Sequence, residues 1–127
     1  MSQNVAFSSV EVVDDKVVSV VLLSGQLDET NNDAVFEAVR QYFELNPQQK
    51  YFIFDVSNLE YLNSRSIGNL VDSFRRTAER GGKMLISGAS SNIHDILDLV
   101  GVTRVVEMAE TLEHAKTALL DDIKAEG

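Results

Sequence analysis

The chain contains no cysteine, which excludes a disulfide framework, a thiolate metal site and a cysteine nucleophile. Proline occurs once, at Pro47, and no stretch is of low complexity, so nothing reads as a linker. Long apolar runs are missing as well. The longest, Val20–Leu23 and the equally long Tyr51–Phe54, fall far short of the roughly 18 residues needed to cross a bilayer. Residues Met1–Val5 lack the basic residues and apolar run of a signal peptide. A cytoplasmic protein with no membrane span is therefore expected. The sequence also has no Gly-x-x-x-x-Gly-Lys, no Gly-x-Gly-x-x-Gly and no Gly-x-Ser-x-Gly, and so none of the glycine loops that cradle phosphates or expose a serine nucleophile. His94 and His114 have no second histidine at ligand spacing, and exposed helix positions are expected for both. With no catalytic constellation, a cofactor-free protein that is not an enzyme is expected. Basic residues are scarce: 11 against 20 acidic ones, a net charge of −9. A field of that sign repels phosphate backbones and disfavours nucleic acid as a partner.

What is present fits one α/β domain over residues 1–127. Hydrophobic residues make up 44% of the chain, enough for a packed core. Phe7–Val13 and Val17–Leu23 read as strands, and the short polar turn Asp14-Asp15-Lys16 between them predicts an antiparallel hairpin. The period then changes. Ala34, Val35, Ala38, Val39, Tyr42 and Phe43 mark one face of a helix, capped among Thr30, Asn31 and Asn32 and stopped by Asn46-Pro47. Tyr51–Val56 is an apolar run broken only at Asp55, which predicts a central strand buried on both faces. A second helix carries Ile67, Leu70, Val71, Phe74 and Ala78 on one face and ends at Gly81-Gly82. Lys83–Ser87 reads as a strand. Ile93, Ile96, Leu97 and Val100 mark a third helix, capped by Ser90 or Ser91 and ended by Gly101. Arg104–Met108 is expected as a last strand, and Leu112, Ala115, Leu119, Leu120 and Ile123 as a final helix. The order is β-β-α-β-α-β-α-β-α, a mixed sheet with an N-terminal hairpin and about four helices.

Two charged features have competing meanings. Arg75, Arg76 and Arg80 predict an exposed basic face on the second helix. It is either a solvated surface or a contact for an acidic partner that speeds association, with Arg76 as the candidate residue. Asp14-Asp15, together with Asp55 near the end of a buried strand, resembles the acidic pocket of a two-component receiver domain. In a receiver the acidic pair leads into a helix, whereas here it leads into Val17–Leu23, a strand. Asp55 is therefore read as a polar strand-end residue.

The segment Leu59-Glu-Tyr-Leu-Asn-Ser-Arg-Ser-Ile-Gly68 joins the buried strand to the second helix. Asn63, Ser64 and Ser66 are all good N-cap residues. A helix N-terminus also favours negative charge through its free N–H groups and dipole. A phosphoserine there would add close to two negative charges while being tolerated by its own fold.

Three patches resemble the STAS domain, specifically the bacterial anti-sigma-factor antagonists. Leu23-Ser-Gly-Gln-Leu-Asp28 is similar to the family's Gly-x-Leu-Asp before the first helix. Leu59–Gly68 is similar to its Leu-x-x-hydrophobic-Asp-Ser-Ser/Thr-Gly-hydrophobic-Gly. Gly81-Gly-Lys-Met-Leu leads to Leu99-Val-Gly-Val102 and a terminal strand and helix. The resemblance implies a STAS-like fold and puts Ser64 at the phosphorylated position, with Ser66 as a rival acceptor. Asp28 matches the family's aspartate near that site. Asn63 replaces the usual aspartate, Arg65 the second hydroxyl residue and Ser66 a glycine; Arg65 adds a cation able to pair with a phosphate. Asp28, Asn63, Ser64, Arg65 and Ser66 are thus implied to meet a partner. That partner is an anti-sigma factor that is also a serine kinase, bound when Ser64 is unmodified and released when it is phosphorylated, with a serine phosphatase to reset the cycle. ATP and magnesium would belong to the kinase. The alternative is a STAS scaffold module of a signalling or transport assembly that is never phosphorylated.

Overall fold

β-Branched residues crowd the first part of the chain and build two long strands, β1 (Val5–Val13) and β2 (Lys16–Leu27). They form the expected antiparallel hairpin, with Phe7 opposite Val21 and Val5 opposite Leu23. The structure, a computed structural model, describes residues 4–13 and 16–126, so Asp14 and Asp15 of the expected turn lie outside the described residues. β3 (Tyr51–Leu62) runs parallel to β2, and β4 (Lys83–Ser87) and β5 (Glu107–Ala109) continue in parallel. The sheet order is β1-β2-β3-β4-β5. Four helices complete the fold: α1 (Asn32–Leu45), α2 (Ser64–Glu79), α3 (Ser91–Leu99) and α4 (Leu112–Glu126). The element order matches the one read from the sequence. Strand follows strand at the start, so the receiver arrangement does not apply.

Alternation along β3 splits the core in two, because successive side chains leave a strand on opposite faces. Phe52, Phe54 and Val56 join the larger cluster, with Val35, Phe36, Val39 and Phe43 of α1, Leu70 of α2, and Ile93 and Leu97 of α3. Tyr51 and Ile53 join the smaller one on the other face, with Val18, Leu85 and Ala115, Leu119 and Ile123 of α4. Burial of each large side chain contributes about 1.5–3 kcal/mol. The whole run Tyr51–Val56 is buried, as its apolar content predicts.

Several details depart from the sequence reading. Asp55 is not at a strand end, because β3 continues to Leu62. Its carboxylate is buried, accepting from Ser87 Oγ at 2.8 Å on β4 and from Ser57 N at 3.1 Å. Residues Val102–Arg104 form a 3-10 turn after Gly101, and the last strand starts only at Glu107, since Val102 and Val106 both turn into the core. In α1, Phe36 is buried and Ala34 exposed. The buried stripe of α2 is Ser66, Leu70, Ser73 and Thr77, flanked by half-buried Ile67, Val71 and Phe74, while Ala78 is exposed. Small hydroxyl residues suit this stripe because two of them bond within their own helix. Ser73 donates to Asn69 O at 3.0 Å and Thr77 to Ser73 O at 2.9 Å, one turn back.

The expected three-arginine face also changes. Arg80 turns inward and donates to Asn46 O at 3.0 Å, Gln49 O at 2.7 Å and Phe43 O at 2.5 Å, its guanidinium 4.9 Å over the Phe43 ring. It gives further donors to carbonyls at and just beyond the end of α1, where intrahelical donors run out. Arg75 and Arg76 remain at the surface, both paired with Asp72 at 3.3 and 2.9 Å. Between α2 and β4 the chain crosses Lys50 so closely that a Cβ on Gly82 would lie 1.8 Å from the Lys50 carbonyl oxygen. Among the described residues, no helix is long and apolar enough to cross a membrane.

Candidate functional site at the paired ends of α1 and α2

β2 and β3 run on together past the end of β4. The β3–β4 pairing stops at Asp55–Ser87, while β2–β3 continues, through two irregularities, to Leu27–Leu62. Each strand then delivers a helix. Asn63 N–H donates to Leu27 O at 3.1 Å, which brings the Asp28 turn and the start of α2 side by side.

Asp28 shapes the first turn. Its Oδ1 accepts from Thr30 N at 2.9 Å and Thr30 Oγ1 at 2.5 Å, and its carbonyl accepts from Asn32 N at 2.9 Å. The Thr30 hydroxyl bond, followed by the Thr30 amide, holds its carboxyl below the ordinary aspartate value of 3.8. Asn31 closes the turn: its Oδ1 accepts from Asp28 N at 3.0 Å and its Nδ2 donates to Gln26 O at 2.7 Å. The expected capping region of α1 is thus an Asp–Asn turn, with Asn32 already inside the helix.

Asn63 is the N-cap of α2. Its extended backbone (φ −95°, ψ 177°) lets Oδ1 accept from Ser66 N at 3.0 Å, satisfying one of the helix's free donors. An asparagine does this as well as the aspartate it stands in for, without the charge. Ser64 is the first helical residue and exposed; Arg65 is exposed and pairs through Nε with Asp33 Oδ1 of α1 at 3.1 Å.

The two candidate serines differ sharply. Ser66 is buried, its Oγ 2.7 Å from Asn32 Oδ1, 3.0 Å from Asn63 Oδ1 and 3.5 Å from Leu27 O. One hydroxyl carries one proton, and the shortest contact assigns it to Asn32. Asn69 Nδ2 also donates to Asn32 Oδ1, at 3.4 Å. This buried polar knot ties the two helix starts together beneath Ser64.

Asp28, Asn63, Ser64, Arg65 and Ser66 therefore gather at one end of the sheet. Arg76 does not join them: twelve residues along α2 place it about 18 Å away at the helix rise. Sequence reasoning missed Asn32, Asn69 and Asp33. Asn32 was visible only as a capping candidate, and the other two gave no local signal. His94 and His114 are exposed on their helices. No group of three or more His, Cys, Asp or Glu residues is arranged to hold a metal among the described residues. What the cluster offers is an accessible hydroxyl on a rigid helix start, flanked by acidic and amide side chains.

The family model for the STAS domain matches residues 9–115. The chain belongs to the STAS family. It is 23% identical over 110 residues to the anti-sigma F factor antagonist of Paenibacillus polymyxa, covering 87% of this chain and 93% of that protein. Its fold is similar to that of the anti-sigma factor antagonist SpoIIAA in its unphosphorylated form, with a TM-score of 0.68, 19% identity and coverage of 94% of this chain and 97% of the other. SpoIIAA, described as a Bacillus cell fate determinant, has also been solved phosphorylated. The STAS domain of a SulP transporter from Vibrio cholerae shares the fold too, with a TM-score of 0.68, 22% identity and coverage of 85% and 83%. Within this STAS chain, the paired ends of α1 and α2 carry the motif residues by which the sequence resembles the antagonists.

Proposed function

We propose that this STAS protein is a cytoplasmic anti-sigma-factor antagonist, a binding protein rather than an enzyme, switched by phosphorylation of Ser64. The single observation that carries the reading is the contrast between its two loop serines. Ser64 offers an exposed hydroxyl at the first position of α2, while Ser66 is buried and bonded to Asn32. A kinase can reach the first without unfolding the site, and not the second.

In this reading the unmodified face binds an anti-sigma factor that is itself a serine kinase. The kinase moves the terminal phosphoryl group of ATP onto Ser64 Oγ, ADP leaves, and the hydroxyl proton goes to a base on the kinase. The product carries close to two extra negative charges in the contact, where their burial is costly. The complex separates, and a serine phosphatase restores the hydroxyl by hydrolysis. The test incubates the purified protein with its cognate kinase and ATP, maps the modified residue and follows binding. Phosphate on Ser64 with loss of the complex supports the proposal. A Ser64→Ala protein released as readily as the parent under the same conditions overturns it.

A second reading has one specific support. The fold is shared with a transporter STAS domain, and the loop carries Asn63, Arg65 and Ser66 where the antagonists resembled here have aspartate, a hydroxyl residue and glycine. A scaffold module that is never phosphorylated accommodates those changes. Absence of phosphoserine in protein isolated from its native host, under conditions that change its binding, favours this alternative.

A further inference from the structure

Arg65 occupies a position where a cation is least welcome. It sits in the first turn of α2, beside the positive end of the helix dipole, and that turn holds no acidic residue. Helix starts ordinarily favour Asp or Glu there. The cap beside it, Asn63, is neutral. On a chain of net charge −9, Arg65 is thus a lone cation at a helix start, set beside the acidic turn that opens α1. Among the described residues its charge partner is Asp33, which lies in the first turn of α1 and is already favoured there by its own helix. The bridge is weakly held: Arg65 is 70% exposed and Asp33 75%, and pairs exposed to water on both sides contribute little.

Resting on the reading of Ser64 as the modified residue, we propose that Arg65 is an exchangeable counter-ion of the switch, leaving Asp33 for the phosphoryl group once Ser64 carries one. Neighbouring residues on a regular helix diverge. Here, however, the acceptor is the first helical residue, the phosphoryl group extends the serine outward, and the arginine stem is long and unburied. A phosphate dianion outcompetes a single exposed carboxylate for a guanidinium, because it presents more charge and three acceptor oxygens. The exchange has two consequences. It keeps the phosphorylated helix start intact, and it strips Asp33 of its partner, so modification uncovers a carboxylate on α1 as well as adding charge on α2. An aspartate at position 64 carries too little charge and too short an arm to trigger the exchange, and so mimics phosphorylation incompletely.

The test needs no kinase. Phosphoserine is installed at position 64 during translation, in the parent and in Arg65→Gln, and the phosphorus resonance is titrated by NMR. The second ionisation of phosphoserine lies near pH 6. In the parent it is expected about half a pKa unit below that of Arg65→Gln, the scale of one exposed charge pair. Identical titrations would overturn the exchange and leave the helix end as the sole stabiliser. A second measurement follows the Arg65 Nε–H resonance. Asp33→Asn is expected to shift it in the unmodified protein and leave it unmoved in the phosphorylated one; equal shifts in both would also overturn the proposal. Failure of any kinase to modify Ser64 would instead remove the functional reading and leave these two measurements intact.

Discussion

The Ser66 hydroxyl and the Asn32 side-chain oxygen meet at 2.7 Å across the starts of α2 and α1, both residues buried. Removing the hydroxyl leaves a buried acceptor with only the longer Asn69 contact. Ser66→Ala is expected to cost about 1–3 kcal/mol in urea unfolding. Ser64→Ala, two residues away but exposed, is expected within about 0.5 kcal/mol of the parent. Equal effects of the two substitutions would contradict the burial contrast on which the site rests.

Ile53 and Phe54 are adjacent in β3, fully buried, and belong to different core clusters. Ile53→Ala is expected to cost about 2–5 kcal/mol and Phe54→Ala about 3–5 kcal/mol by urea unfolding. Being on opposite faces, they also differ in what they loosen. Amide exchange should quicken first in α4 for Ile53→Ala, and in α1 and α2 for Phe54→Ala.

Arg80 and Arg75 lie five residues apart on or beside α2 and are expected to respond very differently. Arg80→Ala removes three hydrogen bonds to backbone carbonyls and the stacking on Phe43, and should cost about 1.5–3 kcal/mol, the scale of one strong charge-assisted bond net of solvation. Arg75→Ala removes an exposed pair with Asp72 and should stay within about 0.5 kcal/mol. Thermal or urea unfolding of both variants checks this. Reversing Arg76, which is also held by Asp72, should leave association kinetics unchanged if its face is only a solvated surface.

Lys83 bridges Glu107 at 3.1 Å and Asp122 at 2.5 Å, joining β4 to β5 and α4. The Asp122 bond, first, and then the Glu107 bond raise its pKa above 10.5, against burial. A cation whose folded pKa is raised stabilises the fold fully below its unfolded pKa, and that contribution is lost as pH rises through the folded value. The side chain is 36% exposed, so screening keeps the effect below about 1 kcal/mol. Parent and Lys83→Met should therefore differ in unfolding temperature at pH 7 and converge as the pH climbs past 10.5. Divergence on the alkaline side would contradict the bridge.

Much of this arrangement was legible in the residues. The β-branched stretches gave the hairpin, the apolar run broken only at Asp55 gave the central strand, and Lys83–Ser87 was bounded correctly, because these signals are local. Asp28, Asn63, Ser64 and Ser66 were also found at the right strand-to-helix corners. What escaped was long-range or polar. Ser66, Ser73 and Thr77 were invisible to a hydrophobicity pattern because they are polar: Ser73 and Thr77 satisfy their hydroxyls one turn back, and Ser66 bonds across to Asn32 of α1. Arg80 looked like surface charge because nothing in its own sequence neighbourhood reveals the carbonyls it meets at the end of α1. The partnership of Arg65 with Asp33 spans 32 positions, and no periodicity encodes it.

Among the described residues, the face of the sheet bearing Val18, Tyr51, Ile53 and Leu85 is covered by α4, through Ala115, Leu119 and Ile123. The ribosome makes α4 after all five strands. A nascent chain can pair its strands and seat α1, α2 and α3 while this second apolar surface still faces water. Domains emerging in order with exposed apolar sheet surface are prone to wrong contacts. Until α4 docks, the newborn chain presents a sticky plane, and the Lys83 bridge to Asp122 is among the last contacts to form.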